Sequence, residues 1–364
     1  MFAIDPGDTA VGRREASEAI LARRAELADA VVTLEFQRHP ELASRYGAIA
    51  REKSLQDVGY HLAYLAQAVA AGNPDLFVDY AGWVKVMLAR RGVRSSDLMF
   101  HLECLREVLG ERLPDAHRVS AYEVMDRALA ALPAMPEDLP TLIEPDSPHA
   151  ALAHQYLQAL LRGERHVASR IVLDAVERTM SVQDIYLRIF QRAQYEIGRL
   201  WQTNMINVAQ EHYCTAATQL IMSQLYPRIF SREKTGGTLV ATCVSGDLHE
   251  LGIRMIADFF ELAGWDTYYL GASTPASSVV QTVIDRGADL LAVSATITYH
   301  VAQVEALVGV VRATPACNGV RILVGGYPFN LSPDLWKTVG ADGYARDAET
   351  VIAVAERLTG RPAA

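Results

Sequence analysis

An aspartate, a histidine and a glycine lie close together in the stretch CVSGDLHELG, residues 243–252. The preceding GTLVATCV is typical of a β-strand, and the residues that follow are typical of an amphipathic helix. A histidine on a strand-end loop can extend one ring nitrogen outward while Asp247 accepts a hydrogen bond from the other nitrogen of His249. Metal-bound histidines are commonly supported in this way. The alternative is a turn that only caps the helix starting near Glu250.

Small residues end two further strand-like segments. Ser294 and Thr296 close AVSATIT, and Gly325 and Gly326 close ILVGGYPF. Small side chains at successive strand ends leave a groove between loops that can admit an elongated ligand. Tight strand-to-helix turns also favour glycine and serine, so each position alone has an ordinary structural explanation.

Strand-like and helical segments alternate over residues 238–364. The strand-like segments are TLVATCVS, DTYYLGA, DLLAVSAT, RILVGGY and ADGYARD. Because parallel strands require helical crossovers, this alternation predicts a parallel, doubly wound, flavodoxin-like α/β domain. Ligands of such sheets bind at the carboxyl ends of the strands. The small residues and the Asp-His pair are expected at that edge.

The remainder of the chain has helical periodicity. Residues 1–132 are predicted to form an all-α domain, with Ser54 as a candidate N-cap of one of its helices. Five prolines within residues 133–150 predict a linker, because proline cannot continue a helix. Residues 151–232 contain four helical patterns separated by short breaks, which predicts a four-helix bundle.

The composition is that of a soluble, mildly acidic globular protein of 364 residues, with 50% hydrophobic residues and a formal net charge of −9. No stripe of lysine and arginine is present, which argues against nucleic-acid binding. No apolar run approaches the ~20 residues needed to span a membrane, and no signal-peptide core is evident. The four scattered cysteines indicate reduced thiols. We therefore expect a cytoplasmic protein.

The spacing of these residues resembles the cobalamin-binding signature D-x-H-x-x-G … S-x-L … G-G of methionine synthase and of light-sensing cobalamin repressors. The resemblance covers roughly Thr238 to Gly360, with Thr296 in place of the signature leucine. It implies that His249 is the lower cobalt ligand and that the displaced benzimidazole tail occupies the groove. The cofactor contacts that it implies in this domain are Asp247, Leu248, His249, Gly252, Ser294, Thr296, Gly325 and Gly326.

The bundle carries a second resemblance, since Trp201 followed by Glu211 and His212 is similar to the W…EH pattern of cobalamin photoreceptors. It implies that the indole packs against the adenosyl group of adenosylcobalamin and that the carboxylate contacts its sugar. Gln202 stands where the repressors have a cobalt-capturing histidine, and glutamine is a poor cobalt ligand. The alternative is a core tryptophan beside a solvated Glu-His pair.

The order of domains resembles the photocobilins, which have a globin-like helical domain before a cobalamin-binding bundle and sheet. That resemblance implies biliverdin as a second chromophore, with His61, Tyr64, Trp83 and His101 as its contacts. Ordinary helical packing is the alternative for these aromatic residues. Cys104 is either a covalent attachment point or a packing residue.

Taken together, these resemblances imply a light sensor rather than an enzyme. Photolysis of adenosylcobalamin would alter the packing of the domains and the homo-oligomeric state, and a downstream effector protein would receive the signal. The alternative is a corrinoid protein that carries a methyl group in a methyltransferase system. An adenosylcobalamin mutase subunit lacks support because no barrel domain is encoded, and a flavodoxin-like regulator without cobalamin is the remaining class.

Overall fold

The computed structural model describes residues 9–230, 233–234 and 237–361. The chain divides into two compact units, a helical unit that ends at Asp138 and a bundle–sheet unit that begins at Leu139. The boundary lies inside the proline-rich stretch predicted to be a linker. None of the described helices combines the length and the apolar character that crossing a bilayer requires.

The described part of the helical unit contains seven α-helices, and its all-α class is confirmed, while the globin-like arrangement stays a prediction. Val58, Leu62 and Val69 are buried at helical spacing on its longest helix. The prediction that Ser54 is an N-cap is wrong. That helix begins at Ala50, so Ser54 lies inside it and its hydroxyl donates to Glu35 from another helix at 2.6 Å. The helices are α1 (Ala10–Ala22), α2 (Arg24–Arg38), α3 (Glu41–Tyr46), α4 (Ala50–Ala71), α5 (Asp75–Ala89), α6 (Ser95–Arg112) and α7 (Asp115–Ala131).

Helices also open the bundle–sheet unit, where they enclose a core containing Tyr156, Phe190 and Met222. A π-helical segment, Ile185–Phe190, joins two of them into one continuous helix. π-Segments leave backbone groups out of the regular ladder and are frequent at functional sites. The helices are α8 (Ala150–Leu161), α9 (Arg165–Glu177), α10 (Val182–Asp184), α11 (Gln191–Gln202), α12 (Val208–Gln224) and α13 (Tyr226–Ile229).

A five-stranded parallel sheet follows, in agreement with the sequence-based prediction. Its spatial order is β2-β1-β3-β4-β5, which places a change of winding direction between β1 and β3. The elements are β1 (Thr238–Cys243), α14 (Leu251–Leu262), β2 (Asp266–Tyr269), α15 (Ala276–Arg286), β3 (Leu290–Ser294), α16 (Val301–Ala313), β4 (Arg321–Gly325), α17 (Tyr327–Leu331), α18 (Leu335–Thr338), β5 (Gly343–Tyr344) and α19 (Val351–Thr359).

Helix α14 connects the sheet to the bundle because two of its faces are buried. Ala257 and Phe260 pack into the core on one face of the sheet. Met255 and Phe259 belong instead to the core of the bundle. One amphipathic helix therefore fixes the bundle beside the strand from which His249 emerges.

Candidate functional site

The turn between β1 and α14 is organised around the carboxylate of Asp247, which is fully buried. Its Oδ1 accepts the backbone N–H of His249 at 3.0 Å and the ring Nδ1–H of His249 at 2.8 Å. Its Oδ2 accepts the backbone N–H of Thr296 at 2.6 Å, from the loop after β3. Burial alone would raise the pKa of Asp247, but these donors outweigh it and hold the pKa well below the ordinary 3.8. The carboxylate is therefore ionised and joins two strand-end loops.

The ring of His249 is held at one nitrogen and open at the other. Because Nδ1 is bonded to Asp247, Nε2 is the nitrogen left for a ligand, and the side chain is 56% exposed. The hydrogen bond to Asp247 raises the pKa of His249, burial opposes it, and the negative charge of Glu211 adds to the rise. Glu211 lies on α12, so the structure brings the bundle's carboxylate near the sheet's imidazole.

Three strands end at one level beside this turn. Cys243 pairs with Ser294 across β1 and β3, and Ser294 pairs with Gly325 across β3 and β4. The parallel register therefore places the predicted groove residues at one edge of the sheet. Ser294 and Thr296 are half-buried there.

Glycine occupies the positions of the predicted site for different physical reasons. A Cβ at Gly252 would meet nothing within 4 Å, so space is open beside the His249 turn. A Cβ at Gly326 would overlap the carbonyl of Ala295, and the φ of Gly326 is +104°. Glycine is therefore required at 326 by close approach of two strand-end turns and by a left-handed backbone. Gly325 lies next to it, where a Cβ would be 3.1 Å from the carbonyl oxygen of Ala345.

The predicted upper-face residues lie around the junction of α11 and α12. Trp201 is half-buried and packs against the bundle core. Gln202 is buried, whereas the side chain of His212 is 73% exposed. Glu211 accepts a hydrogen bond from the hydroxyl of Thr215 at 2.8 Å, and its other oxygen lies 3.5 Å from Nε2 of His212.

Two residues near the site were missed from the sequence. The carboxylate of Glu250 accepts from the amide of Gln219 on α12 at 2.8 Å and from the hydroxyl of Tyr269 on β2 at 2.9 Å. His300 lies behind Asp247, with Nδ1 3.5 Å from Oδ2. The sequence signal for His300 was a histidine shortly after the strand-end Ser294. Glu250 had no sequence signal beyond its place in the turn.

The residues predicted to contact a bilin lie in the helical unit. His61 and His101 are buried, their rings are 5.2 Å apart, and their Nδ1 atoms bond to Tyr80 Oη (2.8 Å) and Glu35 Oε1 (3.0 Å) respectively. Tyr64 is predicted to contact the bilin together with these two histidines. Trp83 is 38% exposed.

Cys104, the candidate attachment point, is a poor nucleophile in this environment. The thiol is buried, and burial raises its pKa to about 11. A thiol with that pKa stays protonated near neutral pH, and the thiolate is the reactive form. Packing is therefore the better explanation of Cys104. Biliverdin as a second chromophore stays a prediction.

A corrinoid fits the donor set at the sheet edge. Among the described residues, no three His, Cys, Asp or Glu side chains converge as a metal site. A corrin ring supplies its own equatorial nitrogens, so it requires only one axial donor from the protein. His249 offers such a donor, supported by a carboxylate and beside open space.

Two family models match the bundle–sheet unit. Both describe a B12 binding domain, one over residues 152–226 and one over residues 237–353. The first covers the helices of the bundle and the second covers the sheet with its Asp-His turn. The matches support a cobalt corrinoid as the cofactor of this chain.

The relatives are corrinoid proteins. One from Desulfitobacterium hafniense (strain Y51) is 23% identical over 216 residues, 58% of this chain and 99% of that protein. The dimethylamine corrinoid protein of Methanosarcina barkeri is 24% identical over 166 residues, 45% of this chain and 75% of that protein. The structure of the Methanosarcina barkeri monomethylamine corrinoid protein has a TM-score of 0.51 at 19% identity, covering 58% of this chain and 99% of that one, and shows a shared fold.

These relatives overturn the light-sensor prediction. The relatives named above are corrinoid proteins, one of them named for dimethylamine, and none is a photoreceptor. The prediction rested on Trp201 and the Glu211–His212 pair, but a half-buried tryptophan that packs on a bundle core does not require an adenosyl group. Light-dependent assembly is therefore the wrong interpretation, and the relatives favour the alternative that the sequence left open.

Proposed function

We propose that this chain is a corrinoid protein that carries a methyl group between partner methyltransferases. The observation that carries the proposal is the Asp247–His249 pair at the β1 strand end, inside a region that matches a B12 binding domain. Relatives named as corrinoid proteins, several of them for dimethylamine, support the methyl-carrying role and favour a methylated amine as the original donor. The chain is then a carrier, and its partners are the catalysts.

His249 would hold the cobalt of the corrinoid in this proposal. Asp247 holds the Nδ1–H tautomer, so the lone pair of Nε2 points away from the carboxylate and is available to cobalt. The negative charge of Asp247 also increases the electron density of the ring. Because Asp247 is tied to the backbone of both strand-end loops, the ring has little freedom to turn away.

The nucleotide tail of the corrinoid is assigned to the edge between β1 and β3. The open space at Gly252 gives it an entrance, and the half-buried Ser294 offers a hydroxyl hydrogen bond. Thr296 is held to Asp247 through its backbone, so its position depends on the same carboxylate as His249. Gly326 allows the turns after β3 and β4 to approach closely, and Gly325 leaves room for the carbonyl of Ala345 after β5.

The bundle covers the upper face in this proposal. When bound, the cobalt corrinoid supplies a metal centre that takes up and gives away a methyl group. Trp201 would exclude water from that side, with Glu211 and the exposed His212 at the rim and the buried Gln202 next to Trp201 in the chain. Leu248, which is 74% exposed, supplies apolar contact from the turn. The group carried would thus be a methyl group rather than the adenosyl group first expected.

Cobalt ligation can be measured by electron paramagnetic resonance of protein loaded with cob(II)alamin. One axial nitrogen splits each line into a triplet, and protein labelled with 15N-histidine gives a doublet instead. We expect 15N-histidine-labelled His249→Ala to lose the doublet and labelled His166→Ala, at an exposed histidine of the same unit, to retain it. Asp247→Asn should lower cobalamin affinity by about 10–100-fold. A doublet that survives in labelled His249→Ala would remove His249 from the site.

Methyl transfer can be followed with a radiolabelled methyl group. Protein loaded with labelled methylcobalamin is mixed with fractions of an extract from the source organism, and label in thiol products is counted. We expect transfer from the wild-type protein and at least tenfold slower transfer from His249→Ala. If the protein binds methylcobalamin but no fraction removes the label, the methyl-carrier role is refuted while cobalamin binding stands.

A further inference from the structure

Helix α12 is apolar on its outward face as well as on the face that packs in the bundle. Its 17 residues include one carboxylate, Glu211, and no lysine or arginine. Ile221 is buried in the bundle core, whereas Ala209, Ala216 and Leu220 are exposed at helical spacing, Leu220 to 49%. A helix that is apolar all round is normally buried on all sides. The outward face of α12 therefore resembles an interior surface that the described part of the chain leaves uncovered.

Two grooves follow this outward face. A groove of about 420 Å³ between α9 and the C-terminal half of α12 is lined by Leu220 and Gln224. A groove of about 350 Å³ at the N-terminal half of α12 is lined by Ala209 and Tyr213. In the first groove, the hydroxyl of Ser169 on α9 donates to the amide oxygen of Gln224 at 2.6 Å and joins the two walls. The face is therefore preformed and follows a helix about 25 Å long.

Positive charge borders the α9–α12 groove. Arg165 and Arg170 of α9 line it, are exposed, and have no ion-pair partner among the residues that the structure describes. Arg188 of the same unit differs, since it pairs with Glu349 at 3.0 Å. The chain as a whole has a formal net charge of −9, so this rim is opposite in sign to the rest of the protein. An apolar face with a positive rim is complementary to an apolar surface with a negative rim.

We propose that the outward face of α12 and the two arginines of α9 form a docking surface for an acidic amphipathic helix of a partner protein. The apolar side chains of that helix pack on Ala216 and Leu220, and its carboxylates pair with Arg165 and Arg170. The rim charge disfavours a second copy of this chain as the occupant, because a two-fold contact uses the same positive patch twice. The assignment of the partner as a methyltransferase rests on the proposed function, whereas the surface itself does not.

The docking surface lies on the helix that also contacts the candidate cobalamin site. Gln219, the neighbour of Leu220 in the chain, donates to Glu250 at 2.8 Å, and Glu250 directly follows His249. Glu211 lies near the start of the same helix. A partner docked on the outward face is therefore anchored one helix away from the turn that carries His249.

A fluorescein-labelled peptide tests the surface on the full-length protein. The peptide is a helix of about 18 residues with leucines on one face and glutamates beside them, and its control has lysine in place of each glutamate. By fluorescence anisotropy, the acidic peptide should bind at least about tenfold more tightly than the lysine peptide. Arg165→Glu/Arg170→Glu should reverse this preference, and Leu220→Ser should weaken binding of both peptides. The matched control, Arg178→Glu/Arg346→Glu, changes the same charge at exposed arginines outside both grooves and should behave like the wild type.

The methyl-transfer assay tests the partner. With the extract fraction that removes the radiolabelled methyl group, Arg165→Glu/Arg170→Glu should raise the KM for the carrier protein at least about tenfold and leave kcat within about twofold. Uptake of cobalamin, followed by its absorption spectrum, should match that of the wild type. Added salt should raise the wild-type KM and have a smaller effect on the variant.

The possible outcomes separate the docking surface from the proposed function. An acidic peptide that binds no better than the lysine peptide overturns the inference, as does an unchanged KM in Arg165→Glu/Arg170→Glu. If no fraction removes the label, the methyl-carrier role fails and the peptide comparison alone decides the docking surface. Sedimentation equilibrium tests the other occupant. A dimer that Leu220→Ser dissociates would assign the face to a second copy of the chain and overturn the acidic partner.

Discussion

Two carboxylate–imidazole pairs of nearly the same geometry lie in the two units. Asp247 accepts from His249 at 2.8 Å beside the sheet, and Glu35 accepts from His101 at 3.0 Å among the helices. Both carboxylates are buried. The imidazole of His249 is exposed, whereas Nε2 of His101 is buried without a hydrogen-bond partner among the described residues. The second nitrogen, not the pair, decides which imidazole is available to a ligand.

The environments of the two acids explain why each tolerates an ionised form. At both positions burial opposes ionisation, and hydrogen-bond donors outweigh it, so the pKa of each carboxyl lies below its ordinary value. Two of the donors to Asp247 are backbone N–H groups of strand-end loops. Those to Glu35 are side chains, His101 and Ser54, from two other helices. One pair is built by a turn and the other by helix packing.

The largest expected effect is on the pair in the helical unit. Glu35→Ala leaves the buried ring of His101 and the half-buried hydroxyl of Ser54 without their acceptor, so the free energy of unfolding should fall by about 3–5 kcal/mol. Urea denaturation measures this. The matched control is Glu41→Ala, which breaks an exposed Glu–His contact of 2.7 Å and should change nothing measurable. Loss of cobalamin affinity in folded Glu35→Ala would contradict the separation of roles between the pairs.

A third buried carboxylate, with no imidazole partner, sharpens the comparison. Asp258 on α14 accepts from the hydroxyl of Tyr186 in the π-helical segment at 2.7 Å. Burial raises the pKa of Asp258 from 3.8 to about 6. Between these values the folded protein binds more protons than the unfolded chain, so stability falls as pH rises through this window. Ionised Asp258 therefore costs about 3 kcal/mol above pH 6.

Asp258→Asn should recover most of that free energy at pH 7 and remove the decline between pH 4 and 6. Thermal unfolding measured from about pH 4 to pH 7 follows both effects. Asp266→Asn is the matched control, because Asp266 accepts from Tyr268 at 2.9 Å at an exposed position. A pH profile identical in wild type and Asp258→Asn would show that Asp258 is ionised at no cost.

The smallest effect is expected at His61. Burial holds its pKa well below 6.5, so the unfolded chain takes up a proton below pH 6.5 while folded His61 stays neutral. The stability that neutral His61 contributes is fully present above pH 6.5. Below pH 6.5 the free energy of unfolding falls by up to about 1.4 kcal/mol per pH unit. His61→Phe should reduce this acid sensitivity. At pH 7.5 the free energy of unfolding of His61→Phe should differ from that of the wild type by less than about 1 kcal/mol. The substitution removes an unpartnered nitrogen and a hydrogen bond to Tyr80 together.

Tyr80→Phe separates the two contributions of His61. It removes the 2.8 Å hydrogen bond but keeps the buried imidazole, so acid sensitivity should persist. Urea denaturation at pH 5.5 and 7.5 compares the variants. Equal acid sensitivity in wild type and His61→Phe would show that another group titrates in the helical unit.

Much of the fold could be predicted because its signals are local. Alternating strand and helix patterns identify the five parallel strands, and helical periodicity identifies the all-α unit. The start of α4 was predicted wrongly, since Ser54 donates to Glu35 on another helix rather than to its own helix end. The π-segment at Ile185–Phe190 has no signal in the periodicity. The choice between light sensing and methyl transfer was also misjudged, because a tryptophan and a Glu-His pair serve packing and cofactor contact equally.

The sequence by itself determined the Asp-x-His turn. With one residue between them along the chain, Asp247 accepts both the backbone and the ring N–H of His249 through a local hydrogen-bond pattern. Tertiary structure alone decided what surrounds the turn. Parallel pairing of β1 with β3 brings Thr296 and His300 to the second oxygen of Asp247. Contacts between segments far apart in sequence depend on register and packing, which no local pattern encodes.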